Sequence, residues 1–244
     1  MPRFLSSLLL AATLGTLLVG AEEYTVYFRK GTNTKALVGK LAPLRQAAPQ
    51  TECRYVVLTT TAESMADAIN SANALKAGVE ELPCLVISDE RGPYATLPLP
   101  QLSNTSLEAA RAAATAPERN QQADLRHFTA QQYLLMARMK LEPSLQGETL
   151  DKCISTCRAL MAHPLASPAD RQRLGFECLY PLLMRQYTNM YTGAHTPASE
   201  AKLLEAIAAL EAARDLNRNT TTGKKAFDER ERLRKARRQA RTME

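Results

Sequence analysis

The side chains of this 244-residue chain with chemistry to offer are five cysteines, three histidines and a basic tail. Cys153 and Cys157 stand four apart, the spacing of one helix face, and Cys178 follows on the next apolar-periodic segment. A zinc site drawn from Cys153, Cys157 and His163 has helical rather than knuckle spacing and no fourth ligand, so no metal is expected. His127 and His195 are isolated from any Ser, Cys or acidic cluster that would suggest a triad, and no phosphate-cradling glycine loop appears among the ten glycines. No cofactor is implied. Residues 224–244 hold nine Lys or Arg against four Asp or Glu, so a net charge of +5 out of the chain's +6 sits there. Within it Lys224, Lys225, Arg232, Arg234, Lys235, Arg237 and Arg238 form a basic stripe suited to an anionic polymer or lipid head groups. Interleaved Asp228, Glu229 and Glu231 make opposite-charge pairs at helical spacing, which favours a solvated capping helix. Phe227 is the one aromatic nearby, so base stacking has little to work with and no nucleic acid is expected.

How the thiols are read depends on compartment. Arg3 precedes an uncharged apolar stretch from Phe4 to Val19, which reaches Val19-Gly20-Ala21 just before Glu22-Glu23. Charge, length and small-residue exit are those of a secretory signal over 1–21, removed after Ala21. The expected mature chain is exported, periplasmic or extracellular, and no later stretch is apolar enough to span a membrane. Its partner would be an unidentified protein. In an oxidising compartment a disulfide is expected, and two segments running antiparallel about a turn near residue 165 put Cys153 and Cys178 at the same height. Buried free thiols are the alternative, since all three cysteines lie on apolar faces.

The elements that would position these groups fall into two kinds. Hydrophobic residues make up 45% of the chain and aromatics 5%, with no tryptophan, so alanine and leucine do the apolar work. Tyr24–Phe28 reads as a strand, and Lys35 to Ala48 as a helix that Pro43 kinks or shortens. Arg54–Leu58 is a second strand. Ala62 to Lys76 is a helix closed by Gly78. Cys84–Ser88 is a third strand, Asp89-Glu90-Arg91-Gly92 a hairpin turn, Tyr94–Leu97 a fourth strand, and a further helix runs from about Ser106 to Thr115.

This β-α-β-α-β-β-α order, with Leu82-Pro83-Cys84 leading a buried strand, resembles the thioredoxin-like fold over about residues 23–116. The resemblance implies a cis-proline at Pro83, facing the first turn of the helix after the first strand. A redox-active member carries Cys-x-x-Cys there, where the positive helix end lowers the thiol pKa. The matching region, about Asn33 to Ala36, holds no cysteine, so dithiol exchange by the family mechanism is not expected. Cys84 is the one candidate for single-thiol chemistry, with Cys53 as a resolving thiol; the alternative is that Cys84 packs as a small hydrophobe.

Beyond the polar break Ala116–Asn120 every periodic segment is helical. Leu125, Phe128, Leu135 and Met139 mark one helix, and Leu150, Ile154, Cys157 and Met161 the next. Ser167-Pro168-Ala169-Asp170 opens a third, which carries Leu174, Cys178 and Leu182 and which Pro181 should bend. Thr196-Pro197 opens a fourth, and Lys224 to Arg241 is a charged last one. The alanine-rich run Ala206–Asn217 resembles the second helix of a tetratricopeptide unit, without that repeat's tryptophan and glycine-tyrosine positions. The expected organisation is a signal peptide (1–21), a thioredoxin-like α/β domain (22–118), an all-α helical-hairpin domain (119–223) and a basic helix (224–244). The function this implies is a redox-inactive interaction or scaffold protein. A Cys84 thiol enzyme or redox sensor, and an anion-binding adaptor acting through the tail, are the alternatives.

Overall fold

The computed structural model describes residues 22–114, 119–191 and 196–241. The expected signal segment and His195 lie outside the described residues. Strand β1 (Glu23–Arg29) is followed by helices α1 (Thr34–Lys40) and α2 (Ala42–Ala47), strand β2 (Cys53–Leu58), helix α3 (Met65–Ala77), the hairpin β3 (Cys84–Asp89) and β4 (Gly92–Pro98), and helix α4 (Asn104–Ala113). The sheet order is β2-β1-β3-β4. β1 pairs parallel with β2 and antiparallel with β3, and β3 pairs antiparallel with β4. This mixed sheet has the thioredoxin-like topology, and the β-α-β-α-β-β-α reading of the sequence is borne out.

Alternation along β1 decides what covers each face of the sheet. Tyr24, Val26 and Phe28 point to one side, where they meet Leu37, Leu41 and Leu44 of the α1–α2 segment and Leu107 of α4. Tyr27 points to the other, with Val56, Cys84 and Val86, against Ala74 and Ala77 of α3. The small residues on α3 let it lie close to the sheet. Pro43 acts as expected: it lacks an N–H and sits in the first turn of a new helix, so the chain breaks at Leu41 into α1 and α2.

Two helix starts differ from the sequence reading for one reason. Ser64 accepts from the Asp67 N–H while Asp67 caps the Ser64 N–H, and this reciprocal cap sets α3 to begin at Met65 rather than Ala62. Ser103 and Ser106 do the same for α4, which begins at Asn104. Gly78 closes α3 in the left-handed conformation, φ 73°.

The remaining residues are all helical: α5 (Arg119–Leu141), α6 (Gly147–Ala162), α7 (Pro168–Leu174), α8 (Tyr180–Met190), α9 (Pro197–Leu216) and α10 (Thr221–Arg241). α5 packs along the outer side of α3, α9 against α8, and α10 against α9. The capping boxes at Ser167 and Thr196 confirm both proline-led starts. Leu125 corrects the reading of α5, since it is 54% exposed; the buried face is carried by Phe128, Ala130, Gln132 and Leu135.

Between α7 and α8 the chain stays helical through a π turn, Gly175–Leu179, in which the Tyr180 N–H reaches back to the Gly175 carbonyl. Pro181 follows after a single residue, Tyr180. A proline there has no N–H to give and its ring crowds the preceding turn, and a widened turn relieves that crowding. The expected bend is thus realised as a one-turn change of pitch. No described helix is long and apolar enough to cross a membrane.

Candidate functional site

The antiparallel register of Tyr27 with Cys84 puts the end of β1, the loop Lys30–Asn33 and the Leu82-Pro83 segment at one end of the sheet. The Leu82-Pro83 peptide is cis, as the resemblance implied, and the Pro83 carbonyl accepts from the Leu99 N–H at 2.9 Å. At the start of α1 the Asn33 side chain accepts from the N–H groups of Lys35 (3.0 Å) and Ala36 (3.4 Å). The positive helix end, which in a dithiol protein lowers a cysteine pKa, is here occupied by an amide oxygen.

Cys84 is fully buried, and burial pushes its thiol up to about 11, against a smaller opposing effect of a hydrogen bond from the Tyr27 backbone. A nucleophile needs the opposite, an exposed thiol with a depressed pKa. Cys53 packs with the α1–α2 side of the sheet while Cys84 packs with the α3 side, so the sheet separates them and Cys53 is not placed to resolve a Cys84 intermediate. The single-thiol chemistry entertained for Cys84 therefore lacks both accessibility and a partner.

Beside this end of the sheet, on its α3 side, lies an open groove of about 380 Å³. Leu75 of α3, Val79 and Leu82 form an apolar wall; Arg29, Thr59 and Tyr133 supply polar groups. The Thr59 hydroxyl is buried without a partner, and the Arg29 side chain makes no ion pair among the described residues. Tyr133 belongs to α5. Two turns earlier on the same helix, Arg126 lies over Gly78, where an added Cβ would stand 2.4 Å from its guanidinium carbon. The sequence reading missed this groove because it ran the sheet and the helical region as separate units. The signal was the i, i+7 spacing of Arg126 and Tyr133 on a helix whose apolar face alone would not account for them.

All five cysteines of the chain are unbonded, the expected pair Cys153 and Cys178 of the helical region included, and the neighbour of Cys178 is Cys157, not Cys153. The equal-height argument for Cys153 took the helices as uniform and ignored the direction of each side chain. Cys153 turns toward Arg138, which partly offsets the upward effect of burial on its pKa. Cys157, one turn on, turns toward the π turn that carries Cys178, and its S–H donates to the Leu174 carbonyl at 3.6 Å, at the entry to that turn. The two thiols perturb each other: the neighbouring Cys178, with burial, pushes the Cys157 thiol up, and Cys157 brings the Cys178 thiol down against the opposing effect of burial. His163 is elsewhere engaged: its ring stacks on Phe128 at 4.8 Å, and its Nδ1 accepts from the Leu165 N–H. Among the described residues no three His, Cys, Asp or Glu side chains converge as a metal site would require.

The basic stripe divides. Arg232 pairs with Glu229, Arg234 with Glu211 and Glu231, and Arg237 with Glu200 at 2.6 Å. Arg230, which the sequence reading did not single out, is 6% exposed and bonds Glu211 and Glu231. Through Glu211 and Glu200, Arg230, Arg234 and Arg237 fasten α10 to α9, whereas the Arg232–Glu229 pair lies within α10. Lys224, Lys225, Lys235 and Arg238 carry no ion pair among the described residues and are exposed.

A second polar cluster was not foreseen. The Glu22 carboxylate accepts from the hydroxyls of Tyr24 and Tyr94 (2.6 Å from Tyr94) and pairs with Arg111 at 3.5 Å. Burial, the largest single influence, pushes the Glu22 pKa up, and these partners together bring it below its ordinary value. The cluster ties the first residue of the described chain to β4 and α4. Comparison with protein-family models, with curated proteins and with solved structures finds no match to this chain.

Proposed function

We propose that this chain is an exported, non-enzymatic interaction module, in which a thioredoxin-like domain without its dithiol is joined to a helical-hairpin scaffold of tetratricopeptide-like character. The observation that carries the reading is the start of α1. The fold keeps the helix end and the cis-proline segment at one end of the sheet, yet the position that reacts in a redox member is filled by the capping oxygen of Asn33. The export reading rests on the signal-like character of residues 1–21, and the periplasm or exterior is where an intact dithiol would have had substrates.

What such a module offers a partner is surface. The groove between α3 and α5, with an unpaired cation and an unsatisfied hydroxyl beside an apolar wall, has the mixed character of a recognition site. The exposed Lys224, Lys225, Lys235 and Arg238 leave a smaller cationic surface than the sequence suggested, and an anion-binding role for the tail would rest on these four. The reading is tested by assaying the purified chain for insulin reduction and for isomerisation of a scrambled disulfide substrate. No turnover above blank is expected, and turnover at rates typical of dithiol enzymes overturns it.

A further inference from the structure

We infer that Cys157 and Cys178 form a disulfide that ties α6 to the π turn between α7 and α8. Both thiols are buried in one apolar cluster, at 0% and 1% exposure, and the Cys157 sulfur lies 3.6 Å from the Leu174 carbonyl, at the entry to the turn that carries Cys178. Cys153 shares the cluster, but Cys178 is not among the groups that act on it. Cys53 and Cys84 are on opposite faces of the sheet, and Cys153 is directed at Arg138. The π turn carries Cys178 at its fourth position, so the widened pitch that accommodates Pro181 is also what sets this thiol.

The chemistry balances with a disulfide-bearing oxidant, such as oxidised glutathione or a protein disulfide donor. The Cys178 sulfur, as its thiolate, attacks one sulfur of the oxidant, and one thiol leaves. The Cys157 thiolate then attacks the mixed disulfide at the Cys178 sulfur, and the second thiol leaves. Two protein thiols are oxidised to one S–S bond, the oxidant's disulfide is reduced to two thiols, and each proton of the protein thiols ends on a leaving sulfur. Because neither sulfur is reached by solvent in the folded chain, the bond forms as the helices close and is thereafter sheltered from reductants.

The oxidant in the cell depends on the export reading, but the bond itself does not, so the test supplies its own oxidant and the two ideas fail separately. The full chain is unfolded under reducing conditions, refolded in mixed oxidised and reduced glutathione, blocked with an alkylating agent, digested with trypsin and mapped by mass spectrometry. Cleavage after Lys152, Arg158, Arg173 and Arg185 yields residues 153–158, which contain both Cys153 and Cys157, and residues 174–185, which contain Cys178. The expected product links these peptides, with fragment ions placing the alkyl group on Cys153 and the bond on Cys157. Cys153→Ser should keep the link and Cys157→Ser should lose it. A bond on Cys153, a glutathione adduct in place of the link, or alkylation of all three thiols without reductant overturns the inference. The fragment ions of the unsubstituted chain decide the matter even where a variant fails to fold.

Discussion

At the first turn of α1 an asparagine oxygen holds a helix end that would activate a thiol, whereas in the π turn of the helical region a thiol faces a second thiol where nothing from solvent reaches it. The sheet half has the electrostatics of redox catalysis without the sulfur; the helical half has the sulfur without the exposure. A positive helix end matters to a cysteine because it stabilises a thiolate that must meet a substrate. A buried pair meets only its neighbour, and its oxidation alters stability rather than turnover. The contrast separates two uses of cysteine by accessibility, which neither the number nor the spacing of the residues conveys.

The sharpest way to break this contrast is to move the sulfur. Asn33→Cys together with Ala36→Cys would install a dithiol with the spacing of a redox motif at the α1 start. Insulin reduction is then expected to rise at least about tenfold over the unsubstituted chain. A folded variant with no gain would mean that the Leu82-Pro83 segment and the helix end are not disposed as a redox site. On the other side, reducing the Cys157–Cys178 bond should cost about 3 kcal/mol in the chain-entropy account of a loop of this length. That corresponds to a fall in thermal midpoint on the order of 6 to 12 °C, read by scanning with and without reductant.

The helical half is also held by a close approach that no thiol assists. At Gly223 an added Cβ would stand 2.1 Å from the Asn217 carbonyl oxygen. Gln172, buried beside it, donates to the Ala213 and Asn217 carbonyls and accepts from the Thr220 hydroxyl at 2.8 Å. Gly223→Ala should therefore lower stability by about 2 to 3 kcal/mol, because the α9–α10 turn must open to admit one methyl. Urea unfolding would show it, and an unchanged midpoint would argue that the two helices are loosely joined.

The smallest effect belongs to the sheet half. Tyr94→Phe removes one hydrogen bond to Glu22 and should cost about 1 kcal/mol at neutral pH. The Glu22 pKa is depressed in the folded chain, so its contribution is fully present above the unfolded value and is lost as pH falls through the folded one. The difference between variant and parent should shrink accordingly on acidification below about pH 4. A difference that stays constant from pH 7 to pH 3 would show that packing of the Tyr94 ring, rather than its hydroxyl, is what matters.

Much of the architecture was legible because it is written in short-range terms. Period-two and period-3.6 alternation, Pro43, Gly78 and the Ser167-Pro168 start each act within a few residues, and each appears in the fold as read. Helix ends at Met65 and Asn104 were displaced by two or three residues because serine caps outweigh the apolar pattern. The Cys178 partner was not legible. It depends on the azimuth of two side chains and on a turn whose pitch departs from 3.6 residues, and a height estimate along straight helices carries neither. The groove and the Glu22 cluster were missed for a related reason. Each joins residues far apart in sequence, Leu82 with Tyr133 and Glu22 with Arg111, and no local pattern announces such a meeting.

The π turn at Gly175–Leu179 has a consequence for which insertions and deletions the chain tolerates. A wide turn behaves as one residue more than a regular helix would need, and an α-helix advances about 100° per residue. Deleting a single residue from 175–179 would let this turn close as a regular one, and the residues after it would keep close to their present azimuth, with Leu182 and Leu183 still on the interior side. The same deletion within the regular turns of α8 has no slack to draw on and would swing everything after it by more than a quarter of a circle. The π turn is thus the place in this helix where the chain could lose a residue without turning its apolar face outward.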